Sequence, residues 1–158
     1  AALKTAQPEC TFTNLQECTQ AQVVNAYDNS IVQTDQFLDS VINWLSAQSD
    51  KAQSAMIYVA DHGESLGENN IYLHGLPYSI APDVQKHVPW ITWLSPAMQA
   101  RTHVTTGCLQ QDVAQRRVTH DNYFHSVLGL MDVQTGAYSP ALDMFAGCRQ
   151  QPNGPLAG

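Results

Sequence analysis

The side chains able to do chemistry concentrate in one segment, Asp61-His62-Gly63-Glu64-Ser65-Leu66-Gly67-Glu68-Asn69-Asn70-Ile71-Tyr72-Leu73-His74-Gly75. Asp61 supplies a hard anionic oxygen and His62 an imidazole nitrogen, an N/O donor pair that suits zinc, an ion that usually takes four ligands. Adjacent strand residues face opposite ways, but where a strand ends the backbone turns and both side chains can converge on one ion. Glu64 and His74 could then contact a second ion or the substrate. Glycines at 63, 67 and 75 would let backbone approach a bound ligand closely. A second chemistry competes for the same stretch. Gly63-Glu64-Ser65-Leu66-Gly67 matches the G-x-S-x-G nucleophile elbow, and Asp112 or Asp121 with His120 or His125 follow in the order such hydrolases use. Against the elbow, Asp61 and His62 separate the preceding apolar run from the first glycine, and Glu68-Asn69-Asn70 is a poor start for the helix an elbow requires. The plainest alternative is a polar loop with a surface histidine and an aspartate helix cap.

Other titratable groups have simpler readings. His120-Asp121 is another adjacent pair, which a capping aspartate explains, and His87 and His103 sit in polar surroundings expected at the surface. His125 reads as a helix-face residue. Tyr58, Tyr72 and Tyr78 read as core or loop aromatics, with Tyr72 and Tyr78 flanking the segment.

The elements that must position these residues are visible as periodicity. Thr19 followed by Gln22 reads as a capping box, and Val24, Tyr27, Ile31, Leu38, Val41, Ile42 and Leu45 recur at helical spacing, which predicts a long helix to about Gln48. Asp28, Asp35 and Asp39 fall on or beside its solvated face. Residues 55–60, Ala-Met-Ile-Tyr-Val-Ala, form a continuous apolar run of the kind buried on both faces of a parallel sheet. The chemical segment begins where this strand ends, the usual place for a site in an open α/β sheet. A second strand is expected over residues 88–94, with Pro89 placing it at a strand start or edge. Residues 101–118 read as polar and irregular. Asp121 caps an expected helix through Phe124, Val127, Leu128 and Met131, and a short helix is expected around 140–146. The segment 151–158 reads as a flexible tail after a single 1–150 region.

Composition bounds the function. Seven Lys and Arg against 14 Asp and Glu give a formal charge of −7, and the basic residues are scattered, which excludes a nucleic-acid partner. The longest apolar runs reach about a third of the roughly 20 residues needed to cross a bilayer, and no basic, apolar signal segment opens the chain. Charged residues make up 13%, about half the usual share, which implies that some of the surface is covered by further protein. Four cysteines allow three pairings and contain no CxxC motif, so disulfides in an oxidising compartment are expected rather than metal ligation. Pairing near neighbours would close loops worth about 2.6 and 3.9 kcal/mol in the chain-entropy model.

Tyr58-Val59-Ala60-Asp61-His62-Gly63-Glu64-Ser65-Leu66-Gly67-Glu68-Asn69, continued by Ile71-Tyr72-Leu73-His74-Gly75-Leu76-Pro77-Tyr78-Ser79-Ile80-Ala81-Pro82, closely resembles the lipid A phosphoethanolamine transferases, including the polymyxin-resistance enzymes. The resemblance extends to Tyr27-Asp28-Asn29 and Thr34-Asp35 upstream. Downstream it includes Asp121-Asn122, Phe124, Leu128-Gly129-Leu130, Leu142-Asp143 and Cys148-Arg149. It implies an α/β/α sandwich of the alkaline-phosphatase-like type, of which residues 1–150 are the C-terminal portion of a periplasmic catalytic domain. That domain is expected at the periplasmic face of the inner membrane, in a parent protein anchored there.

Function follows from the same resemblance. In this family a zinc-bound threonine nucleophile takes phosphoethanolamine from phosphatidylethanolamine and passes it to a lipid A phosphate. Asp61 and His62 match two primary zinc ligands, while Glu64 and His74 match positions lining the headgroup or second-metal region. The threonine, a glutamate ligand and a further histidine belong to the family's earlier half, so the chain is expected to be inactive alone, and its low charge fits a face that meets that half. The resemblance also pairs Cys10 with Cys18 and Cys108 with Cys148, and it makes Ser65 a loop residue. Competing classes are another phosphodiesterase or sulfatase-like hydrolase of the same superfamily, which would use water as acceptor, and a non-catalytic fragment that pairs with another chain.

Overall fold

A computed structural model describes residues 4–113, 115 and 117–149; the expected tail at 151–158 lies outside them. The described residues divide into two compact units, 4–50 with 55–93, and 51–54 with 94–149. Among the described residues, no helix is long and apolar enough to cross a membrane.

The first unit is built on α1, Gln20–Ser46. Its start is the expected capping box: the Thr19 hydroxyl accepts from Gln22 N at 3.3 Å, and Gln22 Oε1 accepts from Thr19 N at 2.9 Å. The segment before α1 folds back along it and is held by polar contacts. Asn29 is almost fully buried; its Oδ1 accepts from Thr5 N and Ala6 N, and its Nδ2 donates to Ala6 O and Glu9 Oε1. The Cys10–Cys18 disulfide closes the turn beneath it, with Cys10 N donating to Gln22 O at 3.0 Å. The expected apolar stripe is only partly buried. Leu38 is in the core, whereas Ile31 is exposed, as are Phe37 (66%) and Trp44 (65%). A buried asparagine rather than an apolar residue occupies the mid-helix contact, because its partners are backbone groups of the returning segment.

Two small sheets complete this unit. β1, Ala55–Val59, pairs with β4, Trp90–Leu94, and Pro89 stands just before β4 as expected of a strand start. β1 is half-buried along its length rather than enclosed, since a two-stranded sheet leaves much of its surface open. β2, Ser65–Leu66, pairs antiparallel with β3, Tyr72–Leu73, in the register Ser65 with Leu73 and Leu66 with Tyr72. Gly67 (φ 114°), Asn69 (φ 52°) and Asn70 (φ 60°) turn the chain between them, residue types that accept positive φ.

The second unit is mainly helical, with α2 at Pro96–Thr102, α3 at Thr106–Val113 and α4 at Asp121–Leu130. The expected irregular stretch 101–118 therefore holds the end of one helix and all of another. α2 carries a full start signal: Ser95 Oγ accepts from Met98 N and Pro96 takes the first helical position. α3 has a weak apolar face, and the Cys108–Cys148 disulfide ties it to a 3-10 turn at Ala146–Cys148. Asp121 is the first residue of α4 and not its cap. The entry is closed by Asn122, whose Oδ1 accepts from Thr119 N at 2.8 Å.

The helix expected around 140–146 is replaced by turns around a buried carboxylate. Asp143 accepts from Phe145 N at 2.8 Å, from the Tyr138 hydroxyl at 2.7 Å and from Arg149 at 2.7 Å. An aspartate that bonds nearby backbone in this way competes with helix formation. Gly129 of α4 packs against the group so closely that a Cβ would sit 2.0 Å from Asp143 Oδ2 and 2.1 Å from an Arg149 nitrogen. Burial, then the bond to Asp143, raises the Tyr138 hydroxyl's pKa above its ordinary value.

Candidate metal centre

The β2–β3 ladder positions the site. Since Ser65 faces Leu73, the next pair outward is Glu64 and His74, so antiparallel register alone sets these two side by side. Glu64 Oε1 lies 2.8 Å from His74 Nδ1. His62, three residues beyond β1, stacks its ring on that of His74, with centroids 3.6 Å apart and planes inclined by 30°. His62, Glu64 and His74 each offer a ligand atom within 4.8 Å of the others. Leu73 is held at φ 61°, a conformation leucine rarely adopts, at the point where the chain turns into His74.

Hydrogen bonding orders both imidazoles. His62 Nδ1 is 3.1 Å from Gly63 O, and with a carbonyl as partner this nitrogen carries the proton. His74 Nδ1 pairs likewise with the Glu64 carboxylate, an acceptor that sets the proton on this nitrogen. Both rings then leave Nε2 with its lone pair, the state in which histidine ligates a metal. Glu64 Oε2 is buried and has no hydrogen-bond partner. A buried carboxylate oxygen without a donor is costly, and a cation would satisfy it. The donors present, two imidazole nitrogens and a carboxylate, therefore fit a zinc-type ion.

Asp61 stands beside this cluster rather than within it. Its side chain is 90% exposed, with Oδ2 3.6 Å from His62 Nε2 and Oδ1 accepting from His62 N at 3.1 Å. It thus lies on the same side of the imidazole as the free lone pair. The nucleophile elbow is not formed. Ser65 lies in β2, is fully buried, and its hydroxyl accepts from Gln85 Nε2 at 2.8 Å. An elbow needs a serine exposed on a strand-to-helix turn, and here a two-stranded hairpin takes that place.

Gln85 is the supporting residue that the sequence did not single out. Its side chain holds Ser65 and its carbonyl accepts from Gly63 N at 3.0 Å, so it pins both ends of the 63–65 segment. Only the polarity of a buried glutamine marks it, and burial is not readable at position 85. Gly63 is needed for a different reason from the one expected: a Cβ there would lie 2.0 Å from Val84 O, so the close approach is to backbone. Gly75 (φ 110°) has open space around it, and the Tyr72 ring lies over Gly67. His87 and His103 are exposed as expected, and His125 Nδ1 accepts from Ser139 N at 3.0 Å.

The sequence model of the Sulfatase family matches residues 3–133, and the chain belongs to that family. It is 47% identical over 143 residues to phosphoethanolamine transferase EptA of Salmonella typhimurium, which covers 90% of this chain and 26% of the relative. The soluble domain of lipooligosaccharide phosphoethanolamine transferase A from Neisseria meningitidis superposes with a TM-score of 0.90 at 42% identity, covering 95% of this chain and 45% of that one. The C-terminal periplasmic domain of phosphoethanolamine transferase EptC from Campylobacter jejuni gives 0.77 at 36% identity, covering 90% and 44%. The expected α/β fold of alkaline-phosphatase-like type is thus the fold observed, and the chain spans about a quarter of the length of the curated relative. Both disulfides pair as the resemblance implies.

Proposed function

We propose that this chain is the C-terminal part of the catalytic domain of a zinc-dependent phosphoethanolamine transferase. The parent moves phosphoethanolamine from phosphatidylethanolamine to a lipid A phosphate at the periplasmic face of the inner membrane, a modification that confers polymyxin resistance. The observation that carries the reading is the His62–Glu64–His74 cluster with its unpartnered buried carboxylate oxygen, in a chain 47% identical to a phosphoethanolamine transferase.

His62 and Asp61 are assigned to one zinc ion, and Glu64 and His74, for which the headgroup and a second metal are the two places open, to a second zinc ion, which the unpartnered Glu64 Oε2 favours. A bound zinc ion supplies Lewis-acid neutralisation of charge on phosphoryl oxygens. Glu64 fixes the His74 tautomer, the Gly63 carbonyl fixes that of His62, and stacking keeps the two rings aligned. A threonine outside this chain provides the nucleophile. The test is substitution in the full-length parent: Asp61→Ala and His74→Ala each abolish lipid A modification while the protein stays folded, and intact modification in either variant refutes the assignment. The Sulfatase family match supports a second reading, a hydrolase with water as acceptor. Release of free phosphoethanolamine without lipid A modification distinguishes it.

A further inference from the structure

Two of the cluster's side chains, His62 and Glu64, flank a residue that leaves the backbone between them free to turn. Gly63 stands there because nothing larger fits: a Cβ would lie 2.0 Å from Val84 O and 3.3 Å from His87 O. Glycine takes backbone conformations closed to other residues. A ligand set that must hold its geometry to within about half an ångström needs that freedom removed by neighbouring structure. The 3-10 turn Asp83–Gln85 is the element placed to remove it.

Gln85 is buried and reaches the segment at two points. Its carbonyl accepts from Gly63 N at 3.0 Å, and its Nε2 donates to the fully buried Ser65 Oγ at 2.8 Å. Between these anchors lies the Gly63–Glu64 peptide. Its carbonyl oxygen is 3.1 Å from His62 Nδ1, and Glu64, which follows it, places Oε1 2.8 Å from His74 Nδ1. Two bonds from one residue thus bracket the partner groups of both imidazoles. Gln85 is itself held in place: its N donates to Pro82 O at 3.1 Å, and the next two amides, Lys86 N and His87 N, both donate to Asp83 O at 2.9 Å. Apolar side chains of the same shape at 65 and 85 would fill this interior at nearly equal stability, since a buried hydrogen bond contributes little net. What the polar pair adds is direction, and an uncharged amide supplies it without burying a further charge beside Glu64.

We propose that Gln85, acting with Ser65, is a positioning residue for the metal centre, a role that rests on the metal-centre reading above. Through the Gly63–Glu64 peptide it sets the tautomer of His62 and the place of the Glu64 carboxylate. Every bond of this brace is made between protein groups, so it orders the ligands independently of the ion. Released from Gln85, the peptide turns about Gly63 and His62 Nδ1 loses its fixed acceptor. The imidazole then also places its proton on Nε2, the nitrogen that must keep its lone pair to ligate.

The test uses the full-length natural chain labelled with 15N-histidine, with Gln85→Met, Ser65→Ala and a control, Val23→Ala, that removes buried apolar volume from the same unit. NMR of the metal-free protein reads the His62 tautomer, with the signal assigned by its loss in His62→Gln, and zinc affinity is measured by competition with a chelator. Wild-type protein should hold His62 with its proton on Nδ1. Gln85→Met should show both tautomers and bind zinc about tenfold more weakly or worse. Ser65→Ala should move both readouts in the same direction, whereas Val23→Ala should lower the melting temperature and move neither. A wild-type tautomer and wild-type affinity in Gln85→Met overturn the role given to Gln85, as do changes no larger than those in Val23→Ala. If Gln85→Met does not fold, Ser65→Ala decides by the same two readouts. Zinc affinity unchanged in both His62→Gln and His74→Ala overturns the metal centre itself. Affinity lost in those two variants but kept in Gln85→Met and Ser65→Ala overturns the brace alone.

Discussion

Glu64 is the residue on which the site turns, because one carboxylate both orders His74 and leaves an unsatisfied oxygen for a cation. Glu64→Gln keeps an acceptor for the imidazole but removes the charge, and it is expected to weaken zinc affinity roughly 10–100-fold. His74→Ala is expected to weaken it at least as much, and isothermal titration of zinc into each variant checks both. Glu9 offers a residue-scale test of the first unit that is independent of metal. The bond with Lys4, then that from Asn29, holds its carboxyl below the ordinary value of 4.5. A depressed acid contributes stability that is complete above its unfolded pKa and is lost as pH falls through the lower folded one. Wild-type protein should therefore lose stability below about pH 4.5 more steeply than Glu9→Gln, as read by denaturant unfolding across that range. Equal slopes would mean the Lys4–Glu9–Asn29 contacts do not hold in solution. Asp61, His62, Glu64 and His74 were all legible as chemistry-bearing residues because their types are rare together. Their division into a compact triplet and an exposed Asp61 was not, since it depends on the register of β2 with β3.

At the scale of elements, the contrast between α1 and α3 shows what local sequence can specify. The α1 start was legible from Thr19 and Gln22 because a capping box spans only four residues. Asn29 was not, since its partners lie 20 to 24 residues away. α3 went unread because its stability comes from the tie between Cys108 and Cys148, at a sequence separation of 40. The 140–146 turns went unread because a buried Asp143 overrides propensity there. That last contact makes a sharp prediction for α4. Gly129→Ala should cost roughly 2–4 kcal/mol of unfolding free energy by driving apart the Asp143–Arg149 pair, despite alanine's better helix propensity. Gly136→Ala, where a Cβ meets nothing within 4 Å, should stay within about 0.5 kcal/mol. Equal effects in chemical denaturation would remove Asp143 from its assigned place against the helix.

For the molecule as a whole, composition argued against nucleic acid and pointed to disulfides, while the family and the alkaline-phosphatase-like fold were legible chiefly through the long motif from Tyr58 to Pro82. Exposed Phe37 and Trp44 on α1 agree with the expectation, drawn from the low share of charged residues, that more of this surface is covered by protein. Binding to the native cluster alone must also raise stability, so zinc should increase the melting temperature of the chain and a chelator should reverse it. X-ray absorption at the zinc edge on the loaded chain, compared with His74→Ala, reads the metal's ligands directly. A shell of nitrogen and oxygen ligands only is expected, at about 2.0–2.2 Å, with imidazole scattering that drops by one ring in the variant. Sulfur at about 2.3 Å, or a spectrum unchanged by His74→Ala, would contradict a metal centre built on His62, Glu64 and His74.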